Sequence, residues 1–268
     1  MPDYQYVLYE RIGAAARISH NRPERRNAES SVMLREMDDA LARAIGDEGV
    51  RVIIIAGTGD HFSAGHDLKE GEAERSAFTV EERYAFEEDL YYGLCMRIWD
   101  CPKPTIAQVQ GACVAGAFML ANMCDLMVAS EDAFFADPVV NSMGAAAVEV
   151  LIHPTVLGLR LAKDILYTGR RLDAREAFAC GMVSRLVTRP KLEETTLALA
   201  EQIAGSPPFA LKLIKRSLHR MMDIGGLRAG LEAHFDTHQL SHASSEFARV
   251  KEAGMSKAIG QGKKMVSS

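Results

Sequence analysis

Two glycine-containing segments have the pattern of turns that can direct backbone N–H groups at a ligand. Residues 62–68 (Phe-Ser-Ala-Gly-His-Asp-Leu) follow a β-branched run, and residues 110–119 (Gln-Gly-Ala-Cys-Val-Ala-Gly-Ala-Phe-Met) lead from a β-rich stretch into a predicted helix. Two N–H groups that converge on one oxygen form an oxyanion hole, which stabilises negative charge developing on a carbonyl oxygen. The pair therefore predicts chemistry beside a carbonyl group; tight strand–helix connections without a ligand are the alternative.

The overall composition is that of a globular protein large enough to bury a sizeable core. The 268 residues are 48% hydrophobic and 25% charged, with a net charge of −5, so no global charge favours nucleic acid or anionic membranes. The first residues lack the pattern of a signal peptide, and no apolar run reaches the ~20 residues of a membrane span. Five cysteines without C-x-x-C spacing predict reduced thiols. We expect a cytoplasmic protein without nucleic-acid or membrane partners.

The hydrophobic pattern predicts an α/β protein built from repeated strand–strand–helix turns, followed by helices. Strands are predicted at 6–10, 14–19, 50–57, 105–109, 126–129 and 133–136. Helices are predicted at 33–45, 80–100, 173–181, 191–204, 208–222, 227–242 and 245–253, and the chain is mainly helical from residue 151. The polar residues 69–80 are expected to be mobile. We predict a ββα core with the ligand site over residues 1–190 and a C-terminal helical region over 191–268.

Further short motifs complete a family pattern. N-R-P at 21–23 precedes N-A at 27–28, and T-G at 168–169 precedes L-D-A at 172–174. In this order, and with both glycine turns, the chain resembles the crotonase (enoyl-CoA hydratase/isomerase) superfamily over about residues 5–190. The resemblance implies a crotonase-type spiral of ββα turns, a trimer or a dimer of trimers, and an acyl-CoA thioester as ligand. Coenzyme A would then be part of the substrate, and no separate cofactor is expected.

The same resemblance assigns site residues. It implies that the oxyanion hole is formed by the backbone N–H groups of His66 and Gly116. Asp67 is expected to hold the first turn through local hydrogen bonds. The expected substrate-binding residues are Arg26, Ala28, Ala64, Asp67, Leu68, Met119, Pro138 and Val139.

Two positions depart from the pattern of the superfamily's hydratases, which hold a water molecule between two glutamates. Alignment of the motifs puts Met119 and Val139 at these positions, and neither side chain can orient water or transfer a proton. Met119 and Val139 are therefore expected to line the pocket, with packing in the core as the alternative. We expect isomerisation or another proton transfer near the thioester rather than efficient hydration. A non-catalytic acyl-CoA binding protein is the alternative.

Other ionisable residues could supply the missing acid–base group. Glu149 lies in an apolar run, where burial would raise its pKa toward neutrality and suit it to move protons. A surface or subunit-contact position for Glu149 is the alternative. Asp137 is expected to brace a turn, and His61 and His66 are weaker acid–base candidates.

The C-terminal region carries two further patterns. His234, His238 and His242 are spaced by four residues, a spacing that can chelate a metal, although we expect a solvated or intersubunit helix face and no metal. The predicted helix 208–222 has an apolar face wider than one core requires. That face favours a trimer or hexamer.

Overall fold

The structure is a computed structural model, and it describes residues 3–75, 77–141 and 144–253. In chain order its strands are β1 (Val7–Ile12), β2 (Ala15–His20), β3 (Val52–Gly57), β4 (Thr105–Val109), β5 (Ala112–Val114), β6 (Leu126–Ser130), β7 (Phe134–Ala136), β8 (Arg171–Asp173) and β9 (Arg185–Val187). Its helices are α1 (Ser31–Gly46), α2 (Leu68–Glu74), α3 (Val80–Glu87), α4 (Leu94–Trp99), α5 (Gly116–Asn122), α6 (Glu149–Leu157), α7 (Leu159–Thr168), α8 (Ala174–Ala179), α9 (Leu192–Ala204), α10 (Pro208–Ile224), α11 (Leu227–Ser241) and α12 (Ser245–Ala253).

The strands form two sheets, and the chain alternates between them. The six-stranded sheet has the order β1-β2-β3-β4-β6-β9, and the three-stranded sheet has the order β5-β7-β8. After β4 in the large sheet the chain enters β5 in the small sheet and then α5; β6, β7 and α6 repeat this path. The predicted ββα fold is therefore confirmed.

Strand β3 lies at the centre of the core, which explains its unbroken apolar run. Ile54 is opposite Arg17 of β2 and Ile106 of β4 in parallel register. Successive side chains of a strand face opposite sides of the sheet. Thus Ile53 packs in the cluster that contains the buried face of α1, whereas Ile54 packs with Leu192 of α9. Because both faces are covered, every residue of β3 is buried and apolar residues are favoured throughout.

The segment 69–80, which we expected to be mobile, contains helix α2. The Asp67 side chain accepts a hydrogen bond from the Glu70 N–H and so caps the helix. The Glu70 carboxylate in turn accepts from the Ser31 N–H at the start of α1 and pairs with Arg75 at 2.9 Å. These polar side chains thus attach the segment to the core, so its polarity does not indicate a loop.

The predicted helix 80–100 is helical throughout but not regular. A π-helical turn over Glu88–Gly93 separates α3 from α4. The wider turn changes the helical register, and Leu90 and Tyr91 within it are buried. Tyr91 consequently reaches the interior beside the first glycine turn.

The C-terminal helices pack in different ways. Helix α9 covers one face of the large sheet, and α11 packs against α6. Helix α10 leaves an apolar surface exposed, formed by Phe209, Leu213, Ile214, Leu218, Met221 and Ile224. Within the described residues, no helix combines the length and apolar character needed to cross a bilayer.

Candidate active site

The two glycine turns are hydrogen-bonded to each other. The Ser63 N–H donates to the Ala112 carbonyl at 3.0 Å, and the Val114 N–H donates to the Ser63 carbonyl at 3.2 Å. Gly65 has a φ of +79°, and a β-carbon there would lie 2.4 Å from the Val114 carbonyl oxygen. Only glycine permits both this backbone conformation and this approach. The turns thus form one unit, although Gly65 and Val114 are 49 positions apart in the sequence.

The backbone N–H of His66 points away from the neighbouring segment around Glu29. The Glu29 N–H donates to the Gly65 carbonyl at 2.8 Å, and the Asp67 N–H donates to the Glu29 carbonyl at 2.9 Å. In such a parallel bridge the N–H of the central residue points to the opposite side. This is the geometry that an oxyanion donor at His66 requires.

The second predicted donor, Gly116, lies next to His66. Ala115 has a φ of 50°, and its N–H donates to the Ala136 carbonyl, which fixes the turn that starts α5. The N–H groups in the first turn of a helix have no partner within that helix. The structure therefore brings the two predicted donor residues together.

A small cavity of about 70 Å³ adjoins these turns. Of the site residues predicted from sequence, His66, Leu68, Met119, Val139 and Glu149 line it. The others do not line it among the described residues: Gly116 is buried, Arg26 is exposed, and Ala28, Ala64, Asp67 and Pro138 are half-buried.

Asp67 lies at the edge of the site and is fully engaged within the protein. Besides capping α2, its carboxylate pairs with Arg22 at 3.0 Å. The Arg22 guanidinium also donates to the Ala28 carbonyl. Asp67 thus holds the first turn through hydrogen bonds, the structural role predicted for it.

Glu149 is a buried carboxylate on the cavity wall. It begins α6, is 3% exposed, and accepts a hydrogen bond from the Ala147 N–H at 2.9 Å. Burial raises the pKa of Glu149 above its ordinary value, while backbone hydrogen bonds and the charge of His238 oppose that shift. A carboxyl group with a raised pKa can both accept and return a proton near neutral pH.

Asp137 is buried behind the cavity wall, where its Oδ1 accepts from the Val139 N–H. Burial and the charge of Glu149 raise the pKa of Asp137 well above its ordinary value. His153 lies 3.7 Å from Asp137, and burial lowers the pKa of His153 to about 3. His153 is therefore neutral near pH 7, and Asp137 braces the turn before Val139.

His234 and His238 of α11 do not form a solvated face, so that part of the expectation was wrong, while an intersubunit face stays a prediction. Nε2 of His234 lies 2.9 Å from the Ala146 carbonyl oxygen, and Nδ1 of His238 lies 2.7 Å from the Ala145 carbonyl oxygen. The Ser241 hydroxyl accepts from the Ala145 N–H. Helix α11 thereby positions the loop that precedes Glu149.

A part-buried ion pair between distant helices completes this part of the wall. Nε2 of His238 lies 2.7 Å from Glu87 of α3, whose carboxylate also pairs with Arg83. Burial alone would raise the pKa of Glu87, but the hydrogen bond and charge of His238 outweigh it and lower the pKa to about 2. With His242, the pair offers possible metal-ligand atoms within 4.8 Å of one another.

Sequence reasoning missed Glu29, Tyr91 and Glu87. Glu29 is 1% exposed beside Gly116, and its carboxylate lies 3.4 Å from Nε2 of the buried His20. Tyr91 stacks on the His66 ring. The polar residue directly after the N-A motif could have indicated Glu29. The position of Tyr91 depends on the π-helical turn, so a regular helical pattern does not indicate it.

Comparison with known proteins gives matches over most of the chain. The model of the enoyl-CoA hydratase/isomerase family matches residues 10–257. The putative enoyl-CoA hydratase EchA13 of Mycobacterium tuberculosis is 39% identical over 260 residues, which cover 90% of this chain and 82% of that protein.

Solved structures agree with this assignment. A probable enoyl-CoA hydratase from Mycobacterium smegmatis superposes with a TM-score of 0.84 at 42% identity, covering 89% of this chain and 95% of that one. An enoyl-CoA hydratase/isomerase from Xanthobacter autotrophicus Py2 superposes with a TM-score of 0.91 at 35% identity, covering 98% of each chain. With the paired glycine turns and the alternating sheets, these matches show that the chain belongs to the enoyl-CoA hydratase/isomerase family of the crotonase superfamily.

Proposed function

We propose that this protein catalyses proton transfer next to the thioester of an acyl-CoA, with isomerisation as the leading reaction. The observation that carries the proposal is the position of Glu149 in the same cavity as His66, Met119 and Val139. Glu87 also lines the cavity, but its carboxylate is engaged by His238 and Arg83. Glu149 is therefore the better candidate for the group that moves a proton.

In the proposed reaction, the Glu149 carboxylate removes a proton from an acyl carbon. The electron pair left behind moves toward the thioester carbonyl and gives an enolate oxygen. The N–H groups of His66 and Gly116 donate hydrogen bonds to that oxygen and stabilise its charge. Glu149 then returns the proton to another carbon of the chain, and the double bond has moved.

Hydration by the two-glutamate mechanism is not part of the proposal. Met119 and Val139, which we align with the two glutamates, are 3% and 6% exposed and carry no group that can bind water. Coenzyme A enters as part of the substrate, without a further cofactor.

We further propose that the chain assembles as a trimer or a dimer of trimers. Supporting this, α10 exposes large apolar side chains, including Leu218 at 56% and Met221 at 65%. Exposed apolar patches of this kind mark interaction surfaces.

Deuterium exchange tests the catalytic proposal without knowledge of the natural acyl group. The protein is incubated in D₂O with a panel of saturated and 3-enoyl-CoA thioesters, and deuterium on the acyl carbons is measured by mass spectrometry. We expect exchange with the wild-type protein and none with Glu149→Gln. Tight thioester binding without exchange in the wild type would overturn proton transfer and favour a non-catalytic acyl-CoA binding protein.

A further inference from the structure

Three side chains of the cavity wall bring possible metal-ligand atoms together. They are Glu87, the last residue of α3, His238 of α11, and His242, which follows α11 one turn later. One ligand atom from each lies within 4.8 Å of the other two. All three side chains line the cavity, which gives an ion access to them. Two imidazole nitrogens and a carboxylate oxygen form a donor set that suits Zn²⁺.

The backbone fixes which nitrogen of His238 can bind an ion. Its Nδ1 lies 2.7 Å from the Ala145 carbonyl oxygen, and because a carbonyl oxygen only accepts hydrogen bonds, Nδ1 carries a proton. The other nitrogen, Nε2, faces Glu87 at 2.7 Å from its Oε2. Metal-binding histidines are commonly held in this way, with the second ring nitrogen donating to an oxygen of the protein.

The Glu87 carboxylate is oriented by two further hydrogen bonds. Its Oε2 accepts from the Gln239 side-chain amide at 2.9 Å, and its Oε1 accepts from the Arg83 guanidinium at 3.2 Å. Ligating carboxylates are usually hydrogen-bonded like this, which keeps them in position for the ion. The ring of Phe247 lies 4.8 Å from that of His242. Such apolar surroundings limit the access of water to a bound ion.

The charges on the wall favour a cation. When ionised, the carboxylates of Glu87 and Glu149 face the guanidinium of Arg83. Arg75, the other arginine of the wall formed by described residues, is paired with Glu70 at 2.9 Å. Negative charge is therefore in excess while the imidazoles are neutral. A divalent cation would balance this excess and favour the ionised form of Glu149.

We infer that Glu87, His238 and His242 form a zinc site that joins α3 to α11 at the cavity wall. In the metal-free protein a proton on Nε2 of His238 holds the ion pair with Glu87. Zn²⁺ takes the place of this proton, which is released to the solvent. Zinc–ligand bonds of about 2.0–2.2 Å require the three donor atoms to draw slightly closer, and water from the cavity completes the coordination. This inference is independent of the proposed proton transfer, which needs no metal.

Titration calorimetry tests the site with Zn²⁺ as the probe. The full chain, without an affinity tag, is treated with EDTA, freed of the chelator and titrated with ZnCl₂. We expect one ion per chain to bind with a dissociation constant in the micromolar range or below. Bound zinc should also raise the temperature of thermal unfolding, because it binds the folded state. Mg²⁺ should not bind, since it prefers oxygen ligands.

Three variants locate the bound ion. His242→Asn removes one ligand but keeps the Glu87–His238 ion pair, and Glu87→Gln removes another. Each should weaken zinc binding at least about tenfold, since even an outer-shell partner of a metal typically contributes 10–100-fold. His234→Asn is the matched control, because His234 lies one turn before His238 but its Nε2 faces the Ala146 carbonyl oxygen. It should bind zinc like the wild type.

The inference is overturned if the wild type does not bind Zn²⁺ in this range. Wild-type zinc affinity in either His242→Asn or Glu87→Gln, or an equal loss in His234→Asn, would overturn it as well. Thermal unfolding in the absence of zinc checks that each variant is folded. Deuterium exchange into acyl-CoA is measured separately, so the proposed function can fail or hold without changing this result.

Discussion

Gly116 lies so close to His66 that a β-carbon at residue 116 would be 2.6 Å from Nδ1 of the His66 ring. The ring has little room to move, because Tyr91 stacks on it at 3.9 Å. The same β-carbon would be 2.7 Å from the carboxylate of Glu29. The two proposed oxyanion donors are thus positioned by a contact that only glycine allows.

Gly116→Ala should therefore displace one donor. Loss of one oxyanion donor typically costs about 10²–10³ in kcat, and overpacking of the buried site should destabilise the protein by about 1–3 kcal/mol. Exchange rates and urea unfolding measure the two effects. Gly46→Ala is the control, because a β-carbon there meets nothing within 4 Å. A Gly116→Ala variant with wild-type exchange rates would exclude Gly116 as a donor.

Glu149→Gln should abolish proton transfer while leaving acyl-CoA affinity nearly intact. The rate should fall about 10²–10⁴-fold, the usual contribution of a general acid–base group. Because burial raises the pKa of Glu149, the wild-type kcat/KM should rise with pH through a pKa above that of an ordinary glutamate. Glu48→Gln is the control, because it makes the same change at an exposed position. If both variants have equal rates, Glu149 is not the acid–base group.

Crotonyl-CoA hydration should be slower than in two-glutamate relatives by several orders of magnitude. Each of the two missing groups would contribute roughly 10²–10⁴-fold, and Met119 and Val139 replace neither. Loss of the enoyl absorbance, compared side by side with a two-glutamate hydratase, measures the rate. An ordinary hydratase rate would show that the motif alignment, or the mechanism, is wrong.

The Glu87–His238 pair should make stability depend on pH in a defined direction. The carboxylate, with a pKa lowered to about 2, stabilises the fold above its unfolded value of 4.5, and this contribution is lost as pH falls through 2. The hydrogen bond and charge of Glu87 outweigh burial and raise the pKa of His238, so its contribution is complete below 6.5 and declines as pH rises through the raised value.

Urea unfolding between about pH 6 and 9, a range around the imidazole pKa, tests this dependence. The free energy of unfolding should decline with pH in the wild type and less so in His238→Asn. His234→Asn is the control, because the His234 ring bonds to a backbone carbonyl of the same loop rather than to a carboxylate. Parallel pH profiles for the wild type and His238→Asn would contradict the ion-pair assignment.

The exposed face of α10 should hold the subunits of a trimer or hexamer together. Leu218→Glu places a charge in this apolar surface and should lower the molar mass measured by light scattering. Val80→Glu, at an exposed apolar residue of α3, should leave the mass unchanged. A stable wild-type monomer at micromolar concentration would rule out this assembly.

The sequence predicts the fold well where local patterns determine it. The β-branched run of Val52–Gly57 locates the central strand, and Gly65 with its positive φ locates the first turn. These features depend on burial and backbone preference within a few residues, so they can be identified without knowledge of distant contacts. Gly116 marks the second turn in the sequence, but the reason that glycine is needed there is the distant contact with His66.

The rest of the site could not be predicted because it depends on contacts between distant segments. Glu87 and His238 are 151 residues apart, and nothing local to either indicates the other. The stacking of Tyr91 on His66 requires the π-helical turn, which an ordinary helical pattern does not reveal. Met119 and Val139 could be assigned to the pocket through the family motifs, but the polar residues Glu87 and Tyr91 of the cavity wall could not.

The attachment of the loop before Glu149 to α11 has a consequence for the order of folding. Ala145 and His238 are 93 residues apart, and α11 ends close to the C-terminal end of the described chain. Contacts of such long range form late, and during synthesis they must wait until the later segment has left the ribosome. The sheets can form beforehand, so we expect a nascent chain that has its core but no working cavity. A chain stalled before α11 should resist proteolysis in the sheets while failing to retain an acyl-CoA.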